Sequence, residues 1–165
     1  MTQFLQPVQI IEMGTSLGIS TMYLASGNPE SKVTTLEGCT ETSRVASQNF
    51  KTHNFSSITS ITGNFDDTLE PLLNKLNRCD LAYIDGNHTY NATLHYFSLL
   101  KKAAHEKSAI IFDDIYWSEG MKKAWTEIKA DPQVTVTIDF FQFGVVFFDK
   151  ALTKQNFKLR LNKGY

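Results

Sequence analysis

Five places in this chain set an acidic or amide side chain at the end of a short apolar run, mostly beside a glycine. They are Glu12 with Gly14, Glu37 with Gly38, Gly63 with Asn64, Asp85 with Gly86, and Asp113 with Asp114. The chemistry open to such groups is recognition of a ligand rich in hydroxyl and amino groups. A carboxylate accepts hydrogen bonds from both hydroxyls of a sugar diol, and an amide pairs with the edge of a base. The glycines matter as much. Between Gly14 and Gly18 the backbone can pass close to a ligand, and the helix that follows turns its first amides toward it. Any single acid can end a strand as a solvated loop residue, but the whole set together makes a cleft the stronger reading.

The runs that deliver these residues are short, apolar and rich in β-branched side chains. They cover Val8 to Met13, Val33 to Leu36, Ile58 to Thr62, Leu81 to Ile84 and Ser108 to Phe112. Helical spacing fills the gaps: Ser20 to Ala25, Thr40 through Phe50, Asp66 to Leu76 with Pro71 as a local irregularity, Asn91 to Ala104, and Ser118 to Ala130. Strand and helix in strict alternation predict a parallel sheet with helices on both faces, and ligands there bind outside the carboxyl ends of the strands. The rhythm breaks at the end. Val134 to Asp139 and Gly144 to Asp149 are separated only by Phe140 to Phe143, too few residues for a parallel crossover, so they must form an antiparallel hairpin. The expected fold is α/β, a Rossmann-like three-layer sandwich. Its mostly parallel, seven-stranded sheet ends in a C-terminal antiparallel β-hairpin.

Composition narrows the partners. With 165 residues, 42% apolar and 20% charged, the chain is expected to form one domain with a substantial core. A formal net charge of −1 gives no electrostatic argument for nucleic acid or an acidic membrane surface. No apolar run is long enough to span a bilayer, and the first residues lack the basic start and apolar segment of a signal peptide. Cys39 and Cys79 lie far apart and neither sits in a CxxC, which reads as two reduced thiols in a cytoplasmic protein. There are no internal repeats, low-complexity tracts or interdomain linkers.

The strand ends also discriminate between ligands. Glu37, closing the second strand, is placed to hold a ribose and would repel a 2′-phosphate. Asn64 suits an adenine edge, with Phe65 packing nearby or serving as a plain core residue. A dinucleotide loop needs its second glycine so that pyrophosphate can touch the backbone, and Ser16 occupies that place. A cofactor without phosphates, carrying an amino acid end and a sulfonium, suits Glu12 and a serine-containing loop better.

Glu12-Met13-Gly14-Thr15-Ser16-Leu17-Gly18-Ile19-Ser20-Thr21 resembles motif I of class I S-adenosylmethionine-dependent methyltransferases, closest to the catechol and sugar O-methyltransferase-like branch. Thr35-Leu36-Glu37-Gly38 resembles the second acidic strand end of that branch, and Tyr83-Ile84-Asp85-Gly86-Asn87-His88-Thr89-Tyr90 its "IDGDHSY" stretch. Ile110-Ile111-Phe112-Asp113-Asp114 resembles its fifth strand, and the likeness runs from about Val8 to Asp149. The resemblance implies cofactor contacts from Glu12, Gly14, Ser16 and Gly18, ribose binding by Glu37 with Gly38, and adenine contacts near Asn64 and Phe65. It counts Asp85 among the cofactor and catalytic groups. It further implies Mg²⁺ held by Asp85, Asp113 and Asp114, oxygen donors suited to a hard ion, which would lower the pKa of an acceptor hydroxyl.

Asn87 stands where the family stretch has its second acid. Asp114 reads either as a site residue or as a helix cap before Ser118. His88 is the candidate general base, with a backbone-bonded loop residue as the alternative. Tyr116 and Trp117 follow the acids of the fifth strand as candidate pocket walls, Trp117 alternatively packing on its own helix. Because only seven residues precede Val8, the N-terminal helices usual in such enzymes are expected to be absent. A fragment, or a homodimer whose second subunit supplies the cover, would account for that. The expected activity is O-methylation of a small-molecule hydroxyl. An NAD-dependent oxidoreductase and a non-catalytic binding protein of methyltransferase fold are the alternatives.

Overall fold

The computed structural model describes residues 1–160, arranged as two compact units, one from Met1 to Tyr83 and one from Ile84 onward. The architecture is mixed α/β and Rossmann-like.

In the first unit, β1 (Gln9–Met13) carries Ile10, Ile11 and Met13 without exposed surface, as a strand covered on both faces requires. It pairs in parallel with β2 (Lys32–Glu37), Gln9 opposite Lys32 through Met13 opposite Leu36. β2 pairs in parallel with β3 (Ile58–Thr62), so that Glu37 stands opposite Thr62 at the same strand ends. Three helices connect and cover these strands: α2 (Ile19–Ser26), α3 (Thr40–Thr52) and α4 (Phe65–Leu76). Ala46 and Phe50 of α3, and Leu69, Leu72 and Leu73 of α4, recur every three or four residues and are buried. A short helix, α1 (Thr2–Leu5), precedes β1 and buries Thr2. The strand order is β3-β2-β1-β4, with β4 (Leu81–Ile84) leading into the second unit.

The second unit holds α5 (Tyr90–Ala103), β5 (Ala109–Asp113), α6 (Glu119–Ala130), β6 (Val136–Asp139), β7 (Phe143–Phe147) and β8 (Gln155–Lys158). The expected hairpin is present: β6 and β7 pair antiparallel, and β7 pairs antiparallel with β5 from Ala109–Phe147 to Asp113–Phe143. Among the described residues the seven strands expected become eight, because β8 adds in parallel to β6. All four β8 residues are exposed, so no apolar alternation marks the strand in the sequence. Backbone pairing carries it, helped by the Thr137 hydroxyl donating to Asn156 Oδ1 at 2.7 Å. The core is aromatic: Phe112 lies 5.9 Å from Phe97 and 6.1 Å from Trp125, centroid to centroid. Trp125 is also why β7 carries Gly144, since a Cβ there would sit 2.5 Å from the indole. No helix among the described residues is long and apolar enough to cross a membrane.

Candidate functional site

The loop after β1 is built from left-handed backbone at alternate positions: Gly14 (φ 104°), Ser16 (φ 48°) and Gly18 (φ 83°). A residue with a Cβ is strained there, which accounts for the glycines but not for the serine. Ser16 is held from outside. Its amide donates to Glu37 Oε2 at 2.9 Å, and the Cys39 amide donates to Glu37 Oε1 at 2.9 Å. Gly14 N–H donates to the Leu36 carbonyl at 3.0 Å and Gly18 N–H to the Thr15 carbonyl at 2.8 Å, closing the coil onto β2. A Cβ on Gly18 would collide with the Phe50 ring, so the end of the loop is wedged against α3. Beside Glu37, by contrast, Gly38 faces open space.

Glu12, expected to face the ligand, has no exposed surface. Its Oε2 accepts from the hydroxyls of Thr21 and, at 2.7 Å, Thr35. The Thr35 and Thr15 hydroxyls share a further bond of 2.6 Å. The carboxylate therefore ties β1, β2 and α2 together and shapes the loop from inside. Asn64 accepts the Asp66 amide at 3.2 Å and caps α4 with its side chain, while Phe65 opens that helix half-buried.

In the second unit, the residues after β4 turn through Asn87 (φ 51°), whose side chain donates to the Tyr96 hydroxyl at 3.0 Å. This turn brings His88 Nε2 to 3.6 Å from Asp85 Oδ1 and 3.9 Å from Asp114 Oδ2. Asp113 closes β5, half-buried, and Asp114 follows it in left-handed backbone (φ 53°). The Asp85 carboxylate beside the ring raises the His88 pKa above the ordinary imidazole value; burial opposes this, and the charges of Asp114 and Asp113 reinforce it. Ser118, not Asp114, caps α6 by accepting the Met121 amide at 3.1 Å. The aspartate is thereby kept at the cluster.

Tyr116 and Trp117 part company. Trp117 is 74% exposed, whereas the Tyr116 hydroxyl donates to Asp139 Oδ2 at 2.5 Å. That bond, with burial and the Asp139 charge, pushes the Tyr116 pKa up to about 12. Burial would raise the Asp139 carboxyl, but hydrogen bonds from Tyr116, the Phe141 amide and Trp125, with Lys158 nearby, outweigh it and hold it below the ordinary value. The Tyr116 ring stacks on Phe141, 5.5 Å between centroids at 25°. Sequence reasoning missed Asp139 and Phe141. The one available signal was the aromatic pair Phe140-Phe141 in a hairpin turn, where polar residues are usual.

The family described as "Methyltransferase domain" matches residues 11–115. The chain belongs to the methyltransferase domain family. An uncharacterised protein of Acanthamoeba polyphaga mimivirus is 34% identical over 73 residues, a match covering 42% of this chain and 33% of that protein. The chain thus spans about a third of that relative's length. Among solved structures, the O-methyltransferase from Bacillus cereus in complex with SAH superposes with a TM-score of 0.77 at 24% identity, covering 88% of this chain and 76% of that one. A putative O-methyltransferase from Klebsiella pneumoniae gives 0.79 at 21% identity, covering 90% and 76%. An O-methyltransferase of Streptomyces achromogenes involved in tomaymycin synthesis, in complex with SAM, gives 0.77 at 17% identity, covering 89% and 75%. At such identities the likeness is one of fold, and it agrees with the class I resemblance read from the motifs.

Two fits can be tested on this methyltransferase domain. For an adenosine cofactor the fit is good: the loop is coiled by glycines, Glu37 stands at the neighbouring strand end, and Gly38 leaves room beside it. For a divalent cation it is poor. Asp85, Asp113 and Asp114 have suitable oxygen donors, but among the described residues no three Asp, Glu, His or Cys side chains are grouped to hold one. The His88 imidazole stands against the carboxylates of both Asp85 and Asp114.

Proposed function

We propose that this chain is an S-adenosylmethionine-dependent methyltransferase that methylates a hydroxyl oxygen of a small molecule. The observation that carries the reading is the glycine loop latched to Glu37, in a chain of the methyltransferase domain family. Bound S-adenosylmethionine supplies an electrophilic methyl group on a sulfonium that departs as a neutral thioether. The protein's own residues do the rest. Glu37 has two acceptor positions beyond the amides it already binds, enough for the two hydroxyls of a ribose. Asn64, fixed at the start of α4, is assigned to the adenine edge, with Phe65 beside it.

His88 is assigned as general base. Asp85 orients it, and the imidazolium formed on taking the acceptor proton is stabilised by the Asp85 and Asp114 carboxylates. A raised pKa makes His88 a stronger base than an ordinary imidazole. No step is routed through a cation. Beyond the proton, methyl transfer asks mainly for in-line placement of oxygen, carbon and sulfur. Cys39 is exposed, Cys79 is buried and neither sits in a CxxC, which supports a reducing, cytoplasmic setting.

Titration calorimetry of the full chain with S-adenosylhomocysteine tests the cofactor, and absence of binding overturns the reading. Transfer of a labelled methyl group to a panel of phenols and sugars then identifies the acceptor. Retained transfer in EDTA is expected, and loss that added Mg²⁺ restores would return Asp85, Asp113 and Asp114 to the role of metal ligands.

A further inference from the structure

Among the described residues β8 is the edge of the sheet beyond β6, and its side chains sort by face. Ile138 stands opposite Phe157 and Thr137 opposite Asn156. Phe157 and Leu159 therefore share the face of Ile138, and they are 46% and 47% exposed. Lys154, Asn156, Lys158 and Arg160 alternate with them onto the other face. From Lys150 to Arg160 the chain carries Lys150, Lys154, Lys158 and Arg160 and no acid, although the formal net charge of the whole is −1. The backbone shows which groups are left over. The Gln155 and Leu159 amides donate to the Thr135 and Asp139 carbonyls at 2.9 and 2.8 Å. Successive residues of a strand turn their backbone groups to opposite edges, so the N–H and C=O of Asn156 and Lys158 point away from β6. Such an edge is a template for another strand.

Charge decides which strand it suits. In an antiparallel pair of two β8 strands centred on Phe157, Lys154 faces Arg160 and Asn156 faces Lys158, so a second copy sets cation against cation. A strand of the opposite sign meets no such penalty. We propose that β8 takes up an extended segment of a protein partner as a further strand, one in which acidic and apolar residues alternate. The acids lie beside Lys154, Lys158 and Arg160, and the apolar residues beside Phe157 and Leu159. Main-chain hydrogen bonds to Asn156 and Lys158 supply affinity, and the two unlike faces fix the register. Lys158 is steadied for this over the Tyr116 ring, 5.4 Å from amine to centroid. The surface needs no cofactor, so the inference stands independently of the methyl-transfer reading.

The first test titrates the isotope-labelled full chain with capped synthetic hexapeptides, followed by NMR. One peptide alternates glutamate with valine, one groups the same residues in two blocks, and one alternates lysine with valine. The alternating acidic peptide should shift the Asn156 and Lys158 amides and slow their exchange with solvent, leaving Ile110 and Val146 in the core unmoved. The block peptide has the charge without the alternation and should bind at least about tenfold more weakly. The lysine peptide should not bind. Equal binding of the two acidic peptides reduces the edge to diffuse attraction and overturns strand addition.

The second test separates backbone from charge. Lys158→Gln removes only the charge and should weaken the alternating acidic peptide by about two- to fivefold. Lys158→Pro also removes an N–H that points away from β6, a place where an edge strand tolerates proline, and should weaken it by about a further tenfold. Binding to the proline variant as tight as to the glutamine variant sinks the proposal. Should the proline variant not fold, methylating alternate amide nitrogens of the peptide puts the same question to the unaltered chain, where undiminished binding refutes strand pairing. Shifts at Asn156 and Lys158 that grow with chain concentration alone would assign the edge to a second copy. Tighter binding of a single-stranded oligonucleotide would assign it to nucleic acid. Either result overturns the proposal.

Discussion

The first unit shapes its strand-end loop with backbone, and the second gathers side chains at its own. In the first, Gly14, Ser16 and Gly18 hold positive φ, and two main-chain amides close on Glu37. The buried Glu12 and its threonines lie beneath, with no accessible surface on the carboxylate. In the second, the groups that matter are the tips of His88, Asp85 and Asp114, partly exposed and 3.6–3.9 Å apart. A cradle made of backbone is fixed by strand register and glycine positions and suits an invariant ligand. A cluster of half-exposed side chains on turns adapts at little cost to the fold, which under the proposed function suits a variable acceptor and the proton it must lose.

The comparison predicts different failures in the two regions. His88→Asn should lower kcat by about 10²- to 10⁴-fold while leaving S-adenosylhomocysteine affinity within a factor of a few, because it removes the base alone. Steady-state kinetics with calorimetry check this. In the wild type the rate should climb with pH as His88 loses its proton, with the midpoint above the ordinary imidazole value; a flat profile would remove the base assignment. Gly14→Val should act the other way. It forces a β-branched residue to φ 104° and should cut cofactor affinity by more than about a hundredfold in a protein whose circular dichroism is unchanged.

Two smaller effects probe the frames rather than the groups they carry. Gly144→Ala places a methyl against the Trp125 indole, and overpacking there should cost about 1–3 kcal/mol in chemical denaturation, with cofactor affinity preserved. Asn64→Ala removes the cap of α4 and should cost about 1 kcal/mol in stability. If Asn64 also reads adenine, cofactor affinity falls with it; a loss of stability alone would leave it a cap.

Much of this was legible in the residues. The alternation of apolar runs with helical spacing announced the parallel strands, and the few residues between Val134–Asp139 and Gly144–Asp149 forced the hairpin. The glycine spacing announced the loop. Three things were not legible. β8 has no buried face, so its existence depends on hydrogen bonds to β6 and leaves no pattern in side-chain type. The burial of Glu12 was hidden because acids at strand ends usually face solvent, whereas here Thr21, Thr35 and the threonine hydroxyl network enclose it. Asp114 was ambiguous until Ser118 proved to be the cap of α6.

The sequence by itself determined the family, the order of the elements and the residue types at each strand end. Those follow from local preference and from periodicity, which act over a few residues. Only the tertiary structure decided which of the acids are buried, which amide each carboxylate holds, and that His88 stands between Asp85 and Asp114 rather than against the backbone. Such pairings bring together residues far apart in the chain, and burial or hydrogen bonding at each depends on what the neighbouring element presents.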